Sequence, residues 1–361
     1  MRILHIIPDL PVGGAEMVVM TYLRNIHLRQ DIEIRLVSLS SNQNRLYENI
    51  MASEGMPVDY LNQNIFDNSI RGRLSQICQL RNYIKAYAPD VIHFHLSIVW
   101  IVGLAIIGLS IKSIFHTLHS DPSKTSYGKN LIIDRFFYRL FNIKTICLND
   151  QMKIIADRIF HRNDTLVLAN GIDLAKYRTN LRNHYRAEFG ICDDVFVLGH
   201  VGRFTKVKNH VKIIEVFAEI RKLKENAKLI LVGEGNDEVL IRTLCKDFSI
   251  TDDVIFTGTR SDVPGLMQMF DYFIFPSLYE GLGIVLIEAQ AVGLPCIISE
   301  AIPSEAVVTD NVIRMNNSDE ASLWANAIVN ASKKTEIPQN YIEVYDTKNV
   351  ISKLIGFYHT Y

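Results

Sequence analysis

Short apolar runs alternate with helix-patterned stretches along the whole chain, and that alternation leaves few folds open. Segments 2–8, 32–38, 90–94, 113–118, 145–148 and 165–168 each read as a short strand buried on both faces, with helical periodicity between them. A second series, 195–201, 228–232, 253–257, 272–276 and 295–299, repeats the arrangement, with a helix starting near Asn209. Strands buried on both faces need helices on both sides of the sheet, which implies parallel, doubly wound sheets. Between the two series lies a polar, strand-free stretch that reads as a linker. The expected fold class is therefore α/β: two Rossmann-like domains over 1–170 and 195–344, joined by 171–194, with a terminal helix over 345–361.

Composition limits what such a chain can do. A net charge of −1 gives no overall pull toward nucleic acid. Residues 1–170 carry 18 Lys/Arg against 14 Asp/Glu, and residues 171–361 carry 20 against 25, so the more basic half is the one suited to an anionic surface. Five scattered cysteines, odd in number and without a C-x-x-C pair, read as reduced thiols and point to the cytoplasm. The apolar run 2–8 is too short and wrongly flanked for a signal peptide. The apolar stretch 96–111 falls short of the roughly 18–20 residues that cross a bilayer, so a buried core helix is expected there.

In doubly wound sheets ligands bind beyond the carboxyl ends of the strands, so the loops after the strands are where chemistry is expected. The strongest signal follows 272–276: Ser277, Leu278, Tyr279, Glu280, Gly281, Leu282, Gly283 and Ile284, then a helix carrying Glu288. Backbone N–H groups at Gly281, Leu282, Gly283 and Ile284 suit an anion at a helix N-terminus. Glu288 is the only charge on an otherwise apolar helix, where a carboxylate needs donors such as the hydroxyls of a ribose. Singly, Glu280 reads equally well as a surface carboxylate and Glu288 as half of an internal ion pair. The loop after 195–201 holds Gly202, Arg203 and Lys208, a fork and a point charge able to meet a diphosphate, or an ordinary basic loop. Gly13 and Gly14 after the first strand allow close backbone approach, although paired glycines are also common turn chemistry.

His93, His95, His116 and His119 form a histidine set at neighbouring strands. No Asp, Glu or Cys completes a metal site around them, so no metal is expected; His93 and His116 read as satisfied core residues, and His119, just past a strand end, as a polar contact to a sugar. No Asp-x-Asp lies at a strand end either.

These residues together resemble the retaining GT-B glycosyltransferases of family 4, the glycosyl transferases group 1. Glu280 and Glu288, with seven residues between them, match that family's paired-glutamate motif, and Gly202-Arg203 with Lys208 match its phosphate loop. Leu231-Val232-Gly233-Glu234-Gly235, Phe256-Thr257-Gly258, Asn170-Gly171-Ile172-Asp173, Thr117-Leu118-His119 and Gly13-Gly14 follow in the expected order. Two positions depart from the pattern: Leu148 stands where Ser is usual, and the usual Gly after Asp310-Asn311 is absent.

The resemblance implies a GT-B fold with the two domains facing a cleft and the last helix crossing back to the first domain. It also implies roles. Glu280 and the backbone of Gly281–Gly283 would hold the donor sugar, Arg203 and Lys208 the diphosphate, and Glu288 the ribose. The backbone near Arg260 would read the base, Gly233 would line the donor site, and His119 would lie near sugar and acceptor. The activity implied is transfer from a nucleotide diphosphate sugar, UDP first, to a glycan or lipid-linked glycan acceptor in capsule, exopolysaccharide or O-antigen assembly, with no cofactor and no metal. The basic, aromatic stretch 134–141 offers a face for the inner surface of the cell membrane, or packs as an ordinary amphipathic helix. Two rivals share the fold: a sugar-nucleotide epimerase, which would need no acceptor, and a sugar-nucleotide-binding subunit without activity.

Overall fold

The computed structural model describes all residues except 11–13, 28, 41–45, 57, 62–68, 126–127 and 332–341. The chain divides into two compact units, Met1–Gly171 with Tyr345–Tyr361, and Ile172–Val344.

The first unit holds seven strands: β1 (Arg2–Ile7), β2 (Glu33–Ser38), β3 (Val58–Tyr60), β4 (Val91–His95), β5 (Ser113–Leu118), β6 (Lys144–Cys147) and β7 (Leu166–Val167). They lie in the order β3-β2-β1-β4-β5-β6-β7, every pair parallel. β1, β4 and β5 are buried almost throughout because helices cover both faces of the sheet. One core joins Ile3, Val91, Phe115 and Ile146 of the sheet to Tyr22 and Ile26 of helix Gly14–His27 and to Val350, Leu354, Ile355 and Tyr358 of the terminal helix Thr347–Thr360. The order reverses between β1 and β4, which puts their carboxyl ends at the topological switch point. The apolar stretch after β4 forms helix Val99–Ile106, largely buried. No helix among the described residues is long and apolar enough to cross a membrane.

The second unit holds β8 (Phe196–Val201), β9 (Ala227–Val232), β10 (Val254–Gly258), β11 (Tyr272–Phe275), β12 (Cys296–Ser299) and β13 (Val312–Met315), again all parallel, in the order β10-β9-β8-β11-β12-β13. Its switch point lies between β8 and β11.

The stretch 171–194, expected from sequence to be a linker, is instead built into this unit from Ile172 onward. It carries helices Leu174–Tyr177 and Arg182–Glu188. Arg186 is almost fully buried and pairs with Asp271 at 2.9 Å, while Arg182 binds the other carboxylate oxygen at 2.8 Å. Asp271 also accepts from the backbone N–H of Val197, and Arg186 donates to the carbonyls of Cys192 and Val195. Two arginines that a polar composition marks as solvent-facing thus tie this segment to the start of the sheet, with every partner hydrogen-bonded. All five cysteines are free.

Candidate active site

In the second unit the loops after β8, β9 and β11 interlock. Gly202 N–H donates to Val232, Phe204 N–H to Glu234, and Leu278 N–H to Val207. Gly233 sits at φ +131°, and a Cβ there would lie 2.2 Å from the carbonyl oxygen of Gly202, so only glycine fits. Gly235 is equally pressed, 2.3 Å from the carbonyl oxygen of Phe204. The close approach of these turns sets the β8 loop rigidly beside its neighbours.

That placement brings Lys208 to Glu280. The ammonium lies 2.6 Å from a carboxylate oxygen, with both side chains mostly buried, and also stands over the ring of Phe275. Asn209, at φ +55°, carries the chain from the turn Lys206–Lys208 into helix His210–Leu223 and donates to the carbonyl of Pro276, fastening the two loops a second time. Beneath them Ser277 Oγ, His200 Nε2 and both ring nitrogens of His210 are buried with no hydrogen-bond partner among the described residues. Buried polar atoms of this kind are uncommon in native cores.

The other residues singled out by sequence take varied positions. Arg203 is exposed in the β8 loop. Leu282 is buried, and Gly283, at φ +79°, heads helix Ile284–Val292 without a side-chain cap, with Gly281 just before. Glu288 is not drawn to Glu280: it receives a hydrogen bond from the Tyr177 hydroxyl, and burial raises its pKa against that bond. Tyr177 was not legible as a site residue, because it sits in the stretch read as linker. The Arg260 guanidinium is held by Asp262 at 2.7 Å and Glu188 at 3.0 Å, which leaves the backbone of that turn, not its side chain, for any contact. Gly14 begins helix Gly14–His27 with nothing within 4 Å of an added Cβ; Gly13 lies outside the described residues.

In the first unit the histidines form a continuous chain. His95 lies 3.1 Å from His119 and 3.0 Å from His5; Tyr358 bridges His5 at 3.2 Å and His93 at 2.6 Å; His93 reaches Thr117 at 2.7 Å. His93 and His116 are satisfied core residues, the latter through Tyr138 and the carbonyl of Leu96. Burial depresses the imidazoles of this set: His5 and His116 fall to about 3, His119 to about 4, and His93 and His95 well below their ordinary value. The nitrogens of His5, His93 and His95 come within 4.8 Å of one another, a spacing open to a metal, but each is already engaged by another side chain. His5 and Tyr358 were missed from sequence, where no local signal marks them, and Thr117 was marked only as part of the Thr117-Leu118-His119 stretch, not as a partner of His93.

Each of the two parallel Rossmann-like sheets thus carries polar loops at its switch point, where such sheets bind ligands. The first half matches the Glycosyltransferase Family 4 model over residues 12–176, and the second the Glycosyl transferases group 1 model over residues 182–344. The chain belongs to this glycosyltransferase family and is a glycosyltransferase of GT-B fold. It is 28% identical to EpsF of Bacillus subtilis (strain 168), named as a candidate glycosyltransferase, over 99% of this chain and 96% of that one. It is 26% identical to the UDP-Gal:alpha-D-GlcNAc-diphosphoundecaprenol alpha-1,3-galactosyltransferase of Escherichia coli, covering 78% and 79%. Among solved structures, Anabaena Alr3699/HepE in complex with UDP and glucose superposes with a TM-score of 0.84 at 19% identity, over the full length of both chains.

Proposed function

We propose that this glycosyltransferase moves a sugar from a nucleotide diphosphate sugar to a glycan or lipid-linked glycan of bacterial surface polysaccharide, retaining configuration and using no divalent ion. The observation that carries the reading is the Lys208–Glu280 pair at the β8 and β11 loop ends. An ammonium has three N–H donors, and only one goes to Glu280, so two remain for phosphate oxygens. The second oxygen of Glu280 accepts a hydroxyl of the donor sugar, beside the backbone of Gly281, Leu282, Gly283 and Ile284. Glu288, with Tyr177 beside it, accepts the ribose hydroxyls, and Gly233 and the backbone at Arg260 flank the nucleotide. Arg203, Lys208 and the helix N-terminus after Gly283 stabilise the departing diphosphate, the task that an acidic metal clamp performs elsewhere. The leaving phosphate takes the acceptor's proton, and His119 contacts the sugar.

UDP is the favoured nucleotide, supported by the name of the Escherichia coli relative. The acceptor class is supported by the same name and by the outer face of helix Gly128–Leu140. There Ile132 and Phe136 are 68% and 58% exposed, and they share a surface groove with Arg135, Arg139 and Leu140. Apolar and basic groups on one face suit the inner surface of an anionic membrane. A thermal-shift panel of UDP-, GDP-, ADP- and TDP-sugars tests the donor, since a ligand at about 100 times its Kd stabilises by about 2.7 kcal/mol. The expected result is a shift with a UDP-sugar, undiminished by EDTA, and a product of retained anomeric configuration. No shift with any of the panel, or turnover abolished by EDTA, refutes the reading.

A further inference from the structure

The hydrogen-bond chain behind His119 has a direction, and the direction decides what His119 offers a ligand. Thr117, His93, Tyr358, His5, His95 and His119 are joined by five successive contacts of 2.6–3.2 Å. With every imidazole neutral, each ring must donate through one nitrogen and accept through the other. Three arrangements satisfy all five bonds: every donor pointing from Thr117 toward His119, every donor reversed, or both neighbouring imidazoles donating to the Tyr358 oxygen, and the last leaves the buried Tyr358 O–H without an acceptor, which is costly. The far end breaks the tie. Thr117 is fully buried, and among the described residues its hydroxyl has His93 as its one hydrogen-bond partner. In the reversed arrangement His93 would donate to that oxygen and leave the buried Thr117 O–H without an acceptor, which is costly. In the forward arrangement Thr117 donates to His93 Nε2, and His93 Nδ1–H to the Tyr358 oxygen. Tyr358 O–H then donates to His5 Nε2, His5 Nδ1–H to His95 Nε2, and His95 Nδ1–H to His119 Nε2, so every group is satisfied until the last. That last atom, His119 Nδ1, is buried and has no partner among the described residues.

We infer that this chain locks His119 in its Nδ1–H tautomer, so that the end of β5 presents a fixed neutral donor to an oxygen lone pair of the substrate, with Thr117 and Tyr358 as positioning residues. The inference deepens the proposed function and rests on its placement of His119 against the sugar. A neutral donor suits a sugar oxygen, because it orients the hydroxyl without placing a charge beside it. The terminal helix, far away in sequence, thereby has a part in substrate binding through one hydroxyl.

Long-range 1H–15N spectra of the histidine side chains in the full-length protein, read alongside steady-state transfer, test this. The expected spectrum shows His119 protonated at Nδ1. Thr117→Val and Tyr358→Phe should each mix the two His119 tautomers and lower turnover by about three- to tenfold, the scale of one mis-set hydrogen bond. Thr117→Ser, which keeps the hydroxyl, should restore both. A wild-type His119 protonated at Nε2, or a tautomer untouched by both Thr117→Val and Tyr358→Phe, overturns the inference. Full transfer activity in His119→Ala would instead remove His119 from the proposed reaction and leave the tautomer result standing.

Discussion

At the ends of β8 and β11 the second unit holds its polar groups as ions, Lys208 against Glu280. At the ends of β4 and β5 the first unit holds its polar groups as neutral dipoles, His95 and His119 backed by His5, Tyr358 and His93. Both sites are shielded from water, so burial alone does not separate them. What differs is the partner: a carboxylate lets an ammonium stay charged, whereas an imidazole surrounded by imidazoles loses its charge to desolvation. One strand-end region therefore keeps a charged pair, and the other a chain of neutral dipoles.

Acid should separate the two units most strongly. His5, His93, His95 and His116 in the first unit are buried and their pKa values depressed, two of them to about 3; among the described residues of the second unit only His200 and His210 are in that condition. A depressed histidine stabilises the fold above its unfolded value of 6.5, and that stability is lost as the pH falls toward the folded value. Each such group costs about 1.4 kcal/mol per pH unit in that window. Hydrogen exchange resolved by unit should show the first unit opening ahead of the second between pH 6.5 and 4.5. The reverse order would break the contrast.

Next in size is the charged pair. Lys208→Ala and Glu280→Gln should each cut transfer by about 10²- to 10³-fold, the scale of a lost transition-state contact, while circular dichroism shows the fold intact. Wild-type turnover in both would mean that the ions are structural. Gly233→Ala should destabilise by about 2–4 kcal/mol, since its Cβ meets the carbonyl oxygen of Gly202, and thermal unfolding measures it. An unchanged melting temperature there would show that the loops yield.

The smallest effect concerns Glu288, whose pKa is raised by burial from 4.5. Because the folded state holds that proton more tightly, stability from this group is present at low pH and declines as pH rises through the raised value. Glu288→Gln should therefore melt slightly higher than wild type near pH 7, with the gap closing toward pH 4, and bind nucleotide sugar more weakly. A lower melting temperature at pH 7 would indicate a net favourable ion interaction at this position.

Most strands were legible because burial on both faces writes a continuous apolar run. β3 and β13 were not, because each is a short edge strand with partly exposed residues, so no such run marks them. The stretch 171–194 misled for a related reason: Arg182 and Arg186 look solvent-facing until Asp271, more than eighty positions away, appears beside them. Lys208 and Glu280 were marked as candidates by their places after strands, but their 2.6 Å contact depends on three loops packing glycine against backbone.

From the amino-acid order alone came the two α/β halves, the strand-end loops and the family, since periodicity and loop position are local properties that a linear pattern records. Tertiary packing alone decided that Tyr177 serves Glu288, that Arg260 is consumed by Glu188 and Asp262, and that Tyr358 meets His93 across 265 positions. A hydrogen bond spans about 3 Å in space whatever its span in sequence, so the partner that sets a group's charge or tautomer is known only once the chain has closed on itself.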